Sequence, residues 1–258
     1  MGNKKRNISV LGCGWLGLPL ATYLVEQGFI VKGSIRSAKK KPLLQSKKIT
    51  PFLIDIDKEF AIDTDFLRTE VLVITIPSKN SQGFQYLISQ IEKASIKKVI
   101  FISATSVYPT SENVLKETNK TLETSLALIE KLFLKNAGFE TTILRFGGLF
   151  GKHRNPGNFF KNGRIIKNPE GVVNMIHQED CIDIIHRIIE KGIATEVFNA
   201  CADTHPTRRD FYTNATLKLG FQTPIFEENQ PIQMKVICSE KLKNSLKFNF
   251  KHTDLLHV

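Results

Sequence analysis

The segment Gly12-Cys13-Gly14-Trp15-Leu16-Gly17, called the glycine loop below, constrains the fold of this chain more than any other feature. It follows a short apolar run at 8–11, which predicts a strand, and opens a segment with helical spacing that stops at Gly28. Glycines at these spacings let the chain turn, bring bare backbone close to a pyrophosphate and pack a helix against a strand. The glycine loop therefore predicts a dinucleotide site to which all six residues contribute; the alternative is a glycine-rich turn without a ligand.

Strand-like and helix-like segments alternate along the first part of the chain. Apolar runs predict strands at 8–11, 29–35, 52–56, 71–76, 98–102 and 141–145. Helical spacing appears at 16–27, 85–94, 115–137, 180–190 and about 207–219. Steady alternation of this kind predicts an α/β fold, a Rossmann-type doubly wound parallel sheet with a small C-terminal lobe. We expect residues 1–150 to form the dinucleotide-binding core and residues 151–258 a mixed region, with one core strand returning at about 196–200.

Composition narrows the ligand and the compartment. Lys and Arg number 36 against 25 Asp and Glu, a net charge of +11 that attracts anions such as phosphorylated ligands, nucleic acid or a membrane surface. The basic clusters lack interleaved aromatic residues, and no apolar run is long enough to span a bilayer, so we expect neither a nucleic-acid nor a membrane partner. Four scattered cysteines favour a cytoplasmic protein with free thiols. Without paired cysteines or a His-Glu-x-x-His motif, no metal site is predicted.

The end of the second predicted strand bears on the choice of dinucleotide. NAD-binding units place an acid there, against the ribose 2′-hydroxyl. This chain has Arg36 and Ser37 instead, followed by three lysines at 39–41. A guanidinium with nearby ammonium groups suits a 2′-phosphate, so the sequence favours NADP(H) over NAD(H), with Arg36 and Ser37 as contacts. The alternative is a solvated basic helix start.

The residues at the ends of the third and fourth predicted strands complete the expected coenzyme contacts. Asp55 and Ile56, at the end of the third strand, are expected beside the adenine, although Asp55 would serve equally well as a cap on the next turn. Ile76 ends the fourth strand, and it and the following Pro77 are also assigned to the coenzyme, because the carboxyl ends of parallel strands share one edge of the sheet.

The chain resembles the extended short-chain dehydrogenase/reductase superfamily, in particular its NAD-dependent epimerase/dehydratase family and the atypical members of that family. Nearly the whole chain takes part in the resemblance. Besides the glycine loop, the matching segments are Phe101-Ile102-Ser103-Ala104-Thr105-Ser106-Val107-Tyr108-Pro109, Leu144-Arg145-Phe146-Gly147-Gly148-Leu149-Phe150-Gly151, Asn174-Met175-Ile176-His177-Gln178-Glu179-Asp180 and Val197-Phe198-Asn199-Ala200. The resemblance implies a Rossmann core, a C-terminal substrate lobe, and a homodimer formed through the helices near Gln85 and Thr121.

One departure from the family concerns its Tyr-x-x-x-Lys pair, whose lysine lowers the pKa of the tyrosine for proton transfer. None of the four tyrosines is followed four residues later by lysine, and the family positions fall near Leu122 and Leu126. The serine position of the family falls near Ala104. By resemblance, Thr105 and Tyr108 are the remaining candidates for catalysis and Ser103 for a contact to the nicotinamide. The alternative for Tyr108 is a packing aromatic.

Candidate substrate contacts follow the sixth predicted strand and the Ile-His-x-x-Asp stretch. His153 and Arg154 lie in a loop of the kind that lines substrate clefts, where they are suited to an anionic group. His177 is a candidate acid or base, or a structural histidine. The sequence leaves two functions open. One is an NADP(H)-dependent reductase or epimerase that acts on a polar, nucleotide-linked small molecule through a non-standard acid; the other is a catalytically silent NADP(H)-bound sensor or scaffold.

Overall fold

The computed structural model describes residues 6–58, 62–94 and 96–257. Within these ranges the strands are β1 (Asn7–Leu11), β2 (Ile30–Ile35), β3 (Thr50–Leu53), β4 (Val71–Ile74), β5 (Lys98–Ala104), β6 (Glu140–Phe146), β7 (Gly148–Phe150), β8 (Met175–His177) and β9 (Glu196–Ala200). The helices are α1 (Gly17–Glu26), α2 (Lys41–Ser46), α3 (Thr64–Leu67), α4 (Ser81–Lys93), α5 (Ser125–Leu134), α6 (Gln178–Lys191), α7 (Arg208–Leu217) and α8 (Glu240–Leu246).

Seven strands form one sheet in the order β3-β2-β1-β4-β5-β6-β9. The register is parallel, with Ile8 of β1 opposite Val31 of β2 on one side and Val71 of β4 on the other. The chain builds the sheet outward from β1 in one direction, returns to the centre and builds in the other direction, which is the doubly wound arrangement. The predicted Rossmann-type α/β fold is thus confirmed. Strands β7 and β8 form a separate parallel pair.

The chain divides into two compact units. The first holds the described residues of Met1–Ser103, Glu123–Leu144 and Ile185–Val197, and the second those of Ala104–Leu122, Arg145–Ile184 and Phe198–Val258. A single division at residue 150 with one returning strand was expected from the sequence. In the structure each unit instead consists of three separate segments of the chain.

Aromatic rings form the centre of the first unit. All four residues of β4 are buried, as expected for a strand covered on both faces. Phe101 of β5 stacks on Phe133 of α5 with ring centroids 5.0 Å apart, and Phe84 of α4 meets Phe101 edge-on at 5.7 Å. These contacts fix α4 and α5 against the sheet and thereby set the position of the residues at the end of β5.

Two predicted elements are corrected. The helix expected over 115–137 begins only at Ser125, where the Thr124 hydroxyl accepts a hydrogen bond from the amide of Ala127 at 3.2 Å and caps the helix. Upstream, Leu115 pairs with the chain at 236–238 as an isolated bridge to Ile237, which tertiary pairing favours over helix formation. The third strand lies at Thr50–Leu53 rather than 52–56. Among the described residues, no helix combines the length and apolar character that a bilayer crossing requires.

Candidate coenzyme site

The glycine loop connects β1 to α1, and its three glycines meet different surroundings. Gly12 has a φ of +103°, and a β-carbon there would lie 2.5 Å from the Ile76 side chain. A β-carbon on Gly17 would lie 2.1 Å from the carbonyl oxygen of Gly12. Gly14, in contrast, has no atom within 4 Å of such a position. The loop is therefore closely packed on its inner side and open at Gly14, which is the arrangement that the approach of a pyrophosphate requires.

Side chains from β2 and from the end of β4 hold the loop in place. The Gly12 amide donates to the Ser34 hydroxyl at 2.8 Å, and the Cys13 amide donates to the Ser34 carbonyl at 2.7 Å. The hydroxyl of Thr75 donates to the carbonyl of Gly12 at 2.7 Å. The sequence analysis missed Ser34 and Thr75. Ser34 could have been found from the sequence, because it is a hydroxyl residue near the end of a strand whose neighbouring residues are apolar or glycine.

The start of α1 is suited to an anion. Its first turn carries no acidic residue, and no side chain caps its amides. The N-terminal end of the helix dipole therefore presents positive potential beside Gly14. Burial raises the pKa of the Cys13 thiol to about 12, so this side chain stays neutral and does not oppose a phosphate. Trp15 is half-buried in the loop.

Beyond the end of β2, the Arg36 side chain is 72% exposed, and its guanidinium lies 4.0 Å from a carboxylate oxygen of Asp57. Ser37 and Lys39 are exposed beside it. Asp55 accepts the Asp57 amide at 3.3 Å, which is the turn-capping role that the sequence analysis gave as its alternative. The sequence analysis missed Asp57, since nothing in the sequence places a residue after β3 beside one after β2.

The remaining predicted contacts of the first unit lie at the same edge of the sheet. Ile56 follows β3 and is buried, and its carbonyl accepts the side-chain amide of Asn80 at 2.7 Å. Ile76 and Pro77 follow β4, with Ile76 against Gly12. Because β1 to β4 run parallel, the structure brings the predicted coenzyme contacts of these four strands to one edge.

Ser103, near the end of β5, is bonded to a buried acid. Its hydroxyl donates to the carboxylate of Glu130, a side chain on α5 with only 2% of its surface exposed. Glu130 lies between Ile129 and Phe133 on the buried face of the helix. The sequence analysis missed it, although one charged residue on an apolar helical face is a usable signal for a buried polar pair.

Tyr108 lies in the second unit and is fully buried. Its hydroxyl donates to Asn199 at 2.9 Å and accepts from the Arg145 guanidinium at 2.6 Å. Burial raises the pKa of Tyr108, and the Arg145 charge offsets this only in part, so the side chain remains a phenol at neutral pH. This geometry favours the packing interpretation, and a catalytic role for Tyr108 stays a prediction. Thr105 is buried in the turn after β5 and accepts the Tyr108 amide through its carbonyl at 3.2 Å.

The predicted substrate contacts also lie in the second unit. His153 and Arg154 are exposed in a tight turn closed by paired hydrogen bonds between the backbones of Gly151 and Arg154. His177 ends β8 and packs against Phe150 with ring centroids 5.1 Å apart. Burial, and next the neighbouring His252, lower the pKa of His177. His177 lines a pocket of about 490 Å³, whereas His153 and Arg154 stand on the turn between two other lining residues, Gly151 and Asn155.

Comparison with known proteins identifies the family. Residues 12–190 match the model of the NAD(P)H-binding family. The chain belongs to this family. It is 31% identical to protein YeeZ of Escherichia coli strain K12 over 269 residues, which cover 97% of this chain and 98% of that protein.

Solved structures share the fold over almost the whole chain. A candidate NAD-dependent epimerase/dehydratase from Methylobacillus flagellatus is 24% identical, with a TM-score of 0.79 and coverage of 98% of this chain and 96% of that one. The UDP-glucuronic acid 4-epimerase of Bacillus cereus, solved with UDP-glucuronic acid and NAD, is 18% identical, with a TM-score of 0.77 and coverage of 97% and 96%. The fold of this NAD(P)H-binding protein is that of the epimerase/dehydratase structures, so the resemblance drawn from its sequence is confirmed.

The departure at the Tyr-x-x-x-Lys positions is visible in the residues that stand there. Leu122 precedes α5 and is 43% exposed, and its amide donates to the carbonyl of Val107 at 2.7 Å. Leu126 lies on α5 and packs against the apolar core of the first unit. Neither side chain can exchange a proton, and none of the four tyrosines of this NAD(P)H-binding protein is followed four residues later by lysine.

Proposed function

We propose that the protein binds NADP(H) in preference to NAD(H), with the glycine loop on the pyrophosphate and Arg36 on the 2′-phosphate. The observation that carries this proposal is the Arg36 side chain, which follows β2 at the position of the acid in NAD-binding units and is 72% exposed. A guanidinium there can bind a phosphate through two parallel hydrogen bonds, whereas an acid would repel it. Ser37, Lys39 and Lys40 add donors beside it.

Asp57 is the main local competitor for Arg36. Its carboxylate lies 4.0 Å from the guanidinium, and both side chains are substantially exposed, at 46% and 72%. Exposed pairs of this kind contribute little, about 0.2–1 kcal/mol, because water screens them. A dianionic phosphate can therefore displace Asp57 from Arg36 at small cost.

The test compares Arg36→Glu with Arg68→Glu, an exposed arginine of the first unit, so that both variants change the net charge equally. NADPH and NADH are titrated against each protein and followed by coenzyme fluorescence. We expect Arg36→Glu to weaken NADPH binding by about 10- to 100-fold, which is the loss expected for a charged hydrogen-bonded pair. The affinity for NADH should fall far less. Arg68→Glu should bind both coenzymes as the native protein does. Tighter binding of NADH by the native protein, or an equal loss for both coenzymes in Arg36→Glu, would contradict the preference.

For the reaction, we infer an oxidoreductase or epimerase that acts on a small, polar, nucleotide-linked substrate. The pocket of about 490 Å³ in the second unit supports a polar ligand, because His177, Lys218 and Lys251 are among its lining residues. The fold shared with the B. cereus epimerase, which was solved with UDP-glucuronic acid, supports the nucleotide-linked class. His153, Arg154 and His177 are the proposed substrate contacts.

Proton transfer in such a reaction would have to use a group other than a Tyr-Lys pair. Thr105 and Tyr108 are the candidates that the sequence offers, with Ser103 beside the nicotinamide. The Ser103 hydroxyl donates to the carboxylate of Glu130, so proton transfer at Ser103 would involve that acid. The Tyr108 hydroxyl donates to the side-chain carbonyl of Asn199, an amide oxygen that cannot act as a base at neutral pH.

A second function, a coenzyme-bound sensor or scaffold without turnover, is favoured by one observation. The Tyr108 phenol is fully buried between Arg145 and Asn199, with its pKa raised. The two functions are separated by incubating the protein with NADPH or NADP⁺ and a panel of UDP-sugars, with coenzyme absorbance and sugar chromatography as readouts. Turnover or sugar interconversion supports the enzyme; tight coenzyme binding without either supports the sensor.

We also propose a cytoplasmic homodimer formed through α4 and α5. Both helices carry exposed apolar side chains in the first unit: Tyr86 on α4, and Leu128 and Leu134 on α5, each between 40% and 44% exposed. Apolar surface of this kind is typical of an interface. Light scattering of the native protein and of Leu128→Glu tests this: the native protein should have twice the mass of the chain and the variant the mass of one chain. A native monomer would refute the proposal.

A further inference from the structure

Two histidines and a glutamate meet in the second unit. His177 ends β8, Glu179 lies in the first turn of α6, and His252 lies in the segment after α8. One nitrogen or oxygen of each side chain lies within 4.8 Å of those of the other two. Because 73 residues separate Glu179 from His252, no local spacing in the sequence reveals the cluster, and the sequence analysis predicted no metal site.

The distances within the cluster are close to those of a metal site. Nε2 of His252 lies 3.2 Å from Oε2 of Glu179, and Nδ1 of His177 lies 4.0 Å from the same oxygen. Ligands about 2.0–2.1 Å from a tetrahedral zinc ion are roughly 3.3 Å apart. The first distance already matches, and the second requires a shift of about 0.7 Å. The Glu179 side chain is 63% exposed, so rotation about its side-chain bonds can supply that shift. Nδ1 of His177 accepts the backbone amide of Glu179 at 3.3 Å, and a metal ion would replace this hydrogen bond.

Both imidazoles are held firmly by their surroundings. The rings of His177 and His252 are in contact, with centroids 3.6 Å apart and planes tilted by 40°. Asp180, which is fully buried, accepts the amides of Lys251 and His252 at 2.8 and 3.3 Å, and so fixes the backbone that carries His252. Behind His177, a β-carbon on Gly151 would lie 2.9 Å from Nε2, so the glycine leaves room for this ring position. Preorganised ligands of this kind lose little entropy when a metal binds.

The charge around the cluster favours a cation. Three carboxylates lie on the first two turns of α6: Glu179, Asp180 and Asp183. From the C-terminal segment, the ammonium of Lys251 lies 3.8 Å from Asp183 and Nε2 of His252 lies 3.2 Å from Glu179.

We propose that His177, Glu179 and His252 bind one divalent transition-metal ion of the zinc class. Imidazole and carboxylate together are a ligand set of zinc, cobalt and nickel, and two histidines with one glutamate leave a fourth position for water or another ligand. Both histidines line the pocket of about 490 Å³, so that the fourth position opens toward the pocket. The proposed coenzyme contacts belong to the first unit and the three metal ligands to the second.

Metal binding is measured on untagged, full-length protein after treatment with a chelator. Zn²⁺ is titrated calorimetrically, and Co²⁺ is titrated by its visible absorption, which reports coordination number and imidazole ligation. We expect one equivalent of each metal in the native protein. Since removal of a supporting residue around a metal site costs about 10- to 100-fold in affinity, loss of a direct ligand in His252→Ala or Glu179→Gln should cost at least about 100-fold.

His257→Ala is the matched control. His257 lines the same pocket but is bonded to Asp254 at 2.7 Å, outside the cluster. The His257→Ala variant should bind one equivalent of metal ion, as the native protein does. NADPH titration and circular dichroism of each variant show that the chain is folded, and Glu179→Gln provides a ligand change with little change of volume if His252→Ala does not fold. Absence of one-to-one binding in the native protein, retention of affinity in both ligand variants, or an equal loss in His257→Ala would overturn the proposal.

Discussion

The carbonyl oxygen of Gly12 lies 2.1 Å from the point where a β-carbon on Gly17 would stand. Backbone fills that space, so no rotation of a neighbouring side chain can make room for a methyl group. At Gly14, two residues beyond the first glycine, the same construction meets no atom within 4 Å. Two glycines of one motif therefore have separable roles, one in packing α1 against β1 and one in leaving space for a ligand.

Alanine at each position should separate these roles. Gly17→Ala should lower the free energy of unfolding by about 1–3 kcal/mol, because overpacking against rigid backbone displaces α1. Gly14→Ala should change the free energy of unfolding by less than about 1 kcal/mol. It should weaken NADPH binding at least about tenfold, because the new methyl group occupies the space left for the pyrophosphate. Urea unfolding and coenzyme titration of both variants provide the two measurements. Normal coenzyme affinity in a stable Gly14→Ala protein would contradict the assignment of the loop.

The contact between Arg36 and Asp57 predicts a variant that binds NADPH more tightly than the native protein does. Asp57→Asn should tighten NADPH binding by about 1.4- to fivefold, because removal of an exposed competing carboxylate is worth about 0.2–1 kcal/mol, and should leave NADH binding unchanged. In an Arg36→Ala background the gain should disappear, since the carboxylate then has no guanidinium to occupy. Fluorescence titrations of the four proteins of this cycle are the measurement. A gain that persists without Arg36 would mean that Asp57 acts on the coenzyme directly.

Elements that depend on local sequence alone were predictable, and elements that depend on distant contacts were not. Strand β9 (Glu196–Ala200) has its predicted bounds, and β1 and β4 begin or end within two residues of theirs, because buried parallel strands are continuous apolar runs. The helix expected from residue 115 failed because Leu115 pairs with Ile237, more than a hundred residues away. Tertiary pairing of that range leaves no signal in local periodicity.

The candidate site shows the same limit. The glycine loop and Arg36 were predictable because the coenzyme motif is contiguous and Arg36 directly follows a strand. Asp57 was not, since its relation to Arg36 depends on the register between β2 and β3. Glu130 was missed for another reason: its partner, Ser103, lies 27 residues earlier, and only the packing of α5 on β5 brings the two together.

Tyr108 provides a test of structural against catalytic roles. Tyr108→Phe removes a hydrogen-bond partner from Arg145 and Asn199 inside the protein, so the free energy of unfolding should fall by about 1–3 kcal/mol while NADPH affinity is unchanged. Tyr86→Phe, the same change at a tyrosine that is 40% exposed, should cost less than Tyr108→Phe. Denaturant unfolding measures both. A Tyr108→Phe protein of native stability that has lost turnover would instead support a catalytic phenol.

Burial lowers the pKa of His205 below its ordinary 6.5, and a hydrogen bond to the Val173 carbonyl offsets this only in part. Below about pH 6.5 the unfolded chain therefore binds more protons than the folded one, and the free energy of unfolding should fall as the pH is lowered from about 7 to about 5. His205→Asn should flatten this slope, because asparagine can still donate to Val173 but does not titrate. The control is His153→Asn at an exposed residue with a φ of +60°, which asparagine tolerates. Urea unfolding across the pH range should show the full slope in the control; an equal slope in His205→Asn would contradict the assignment.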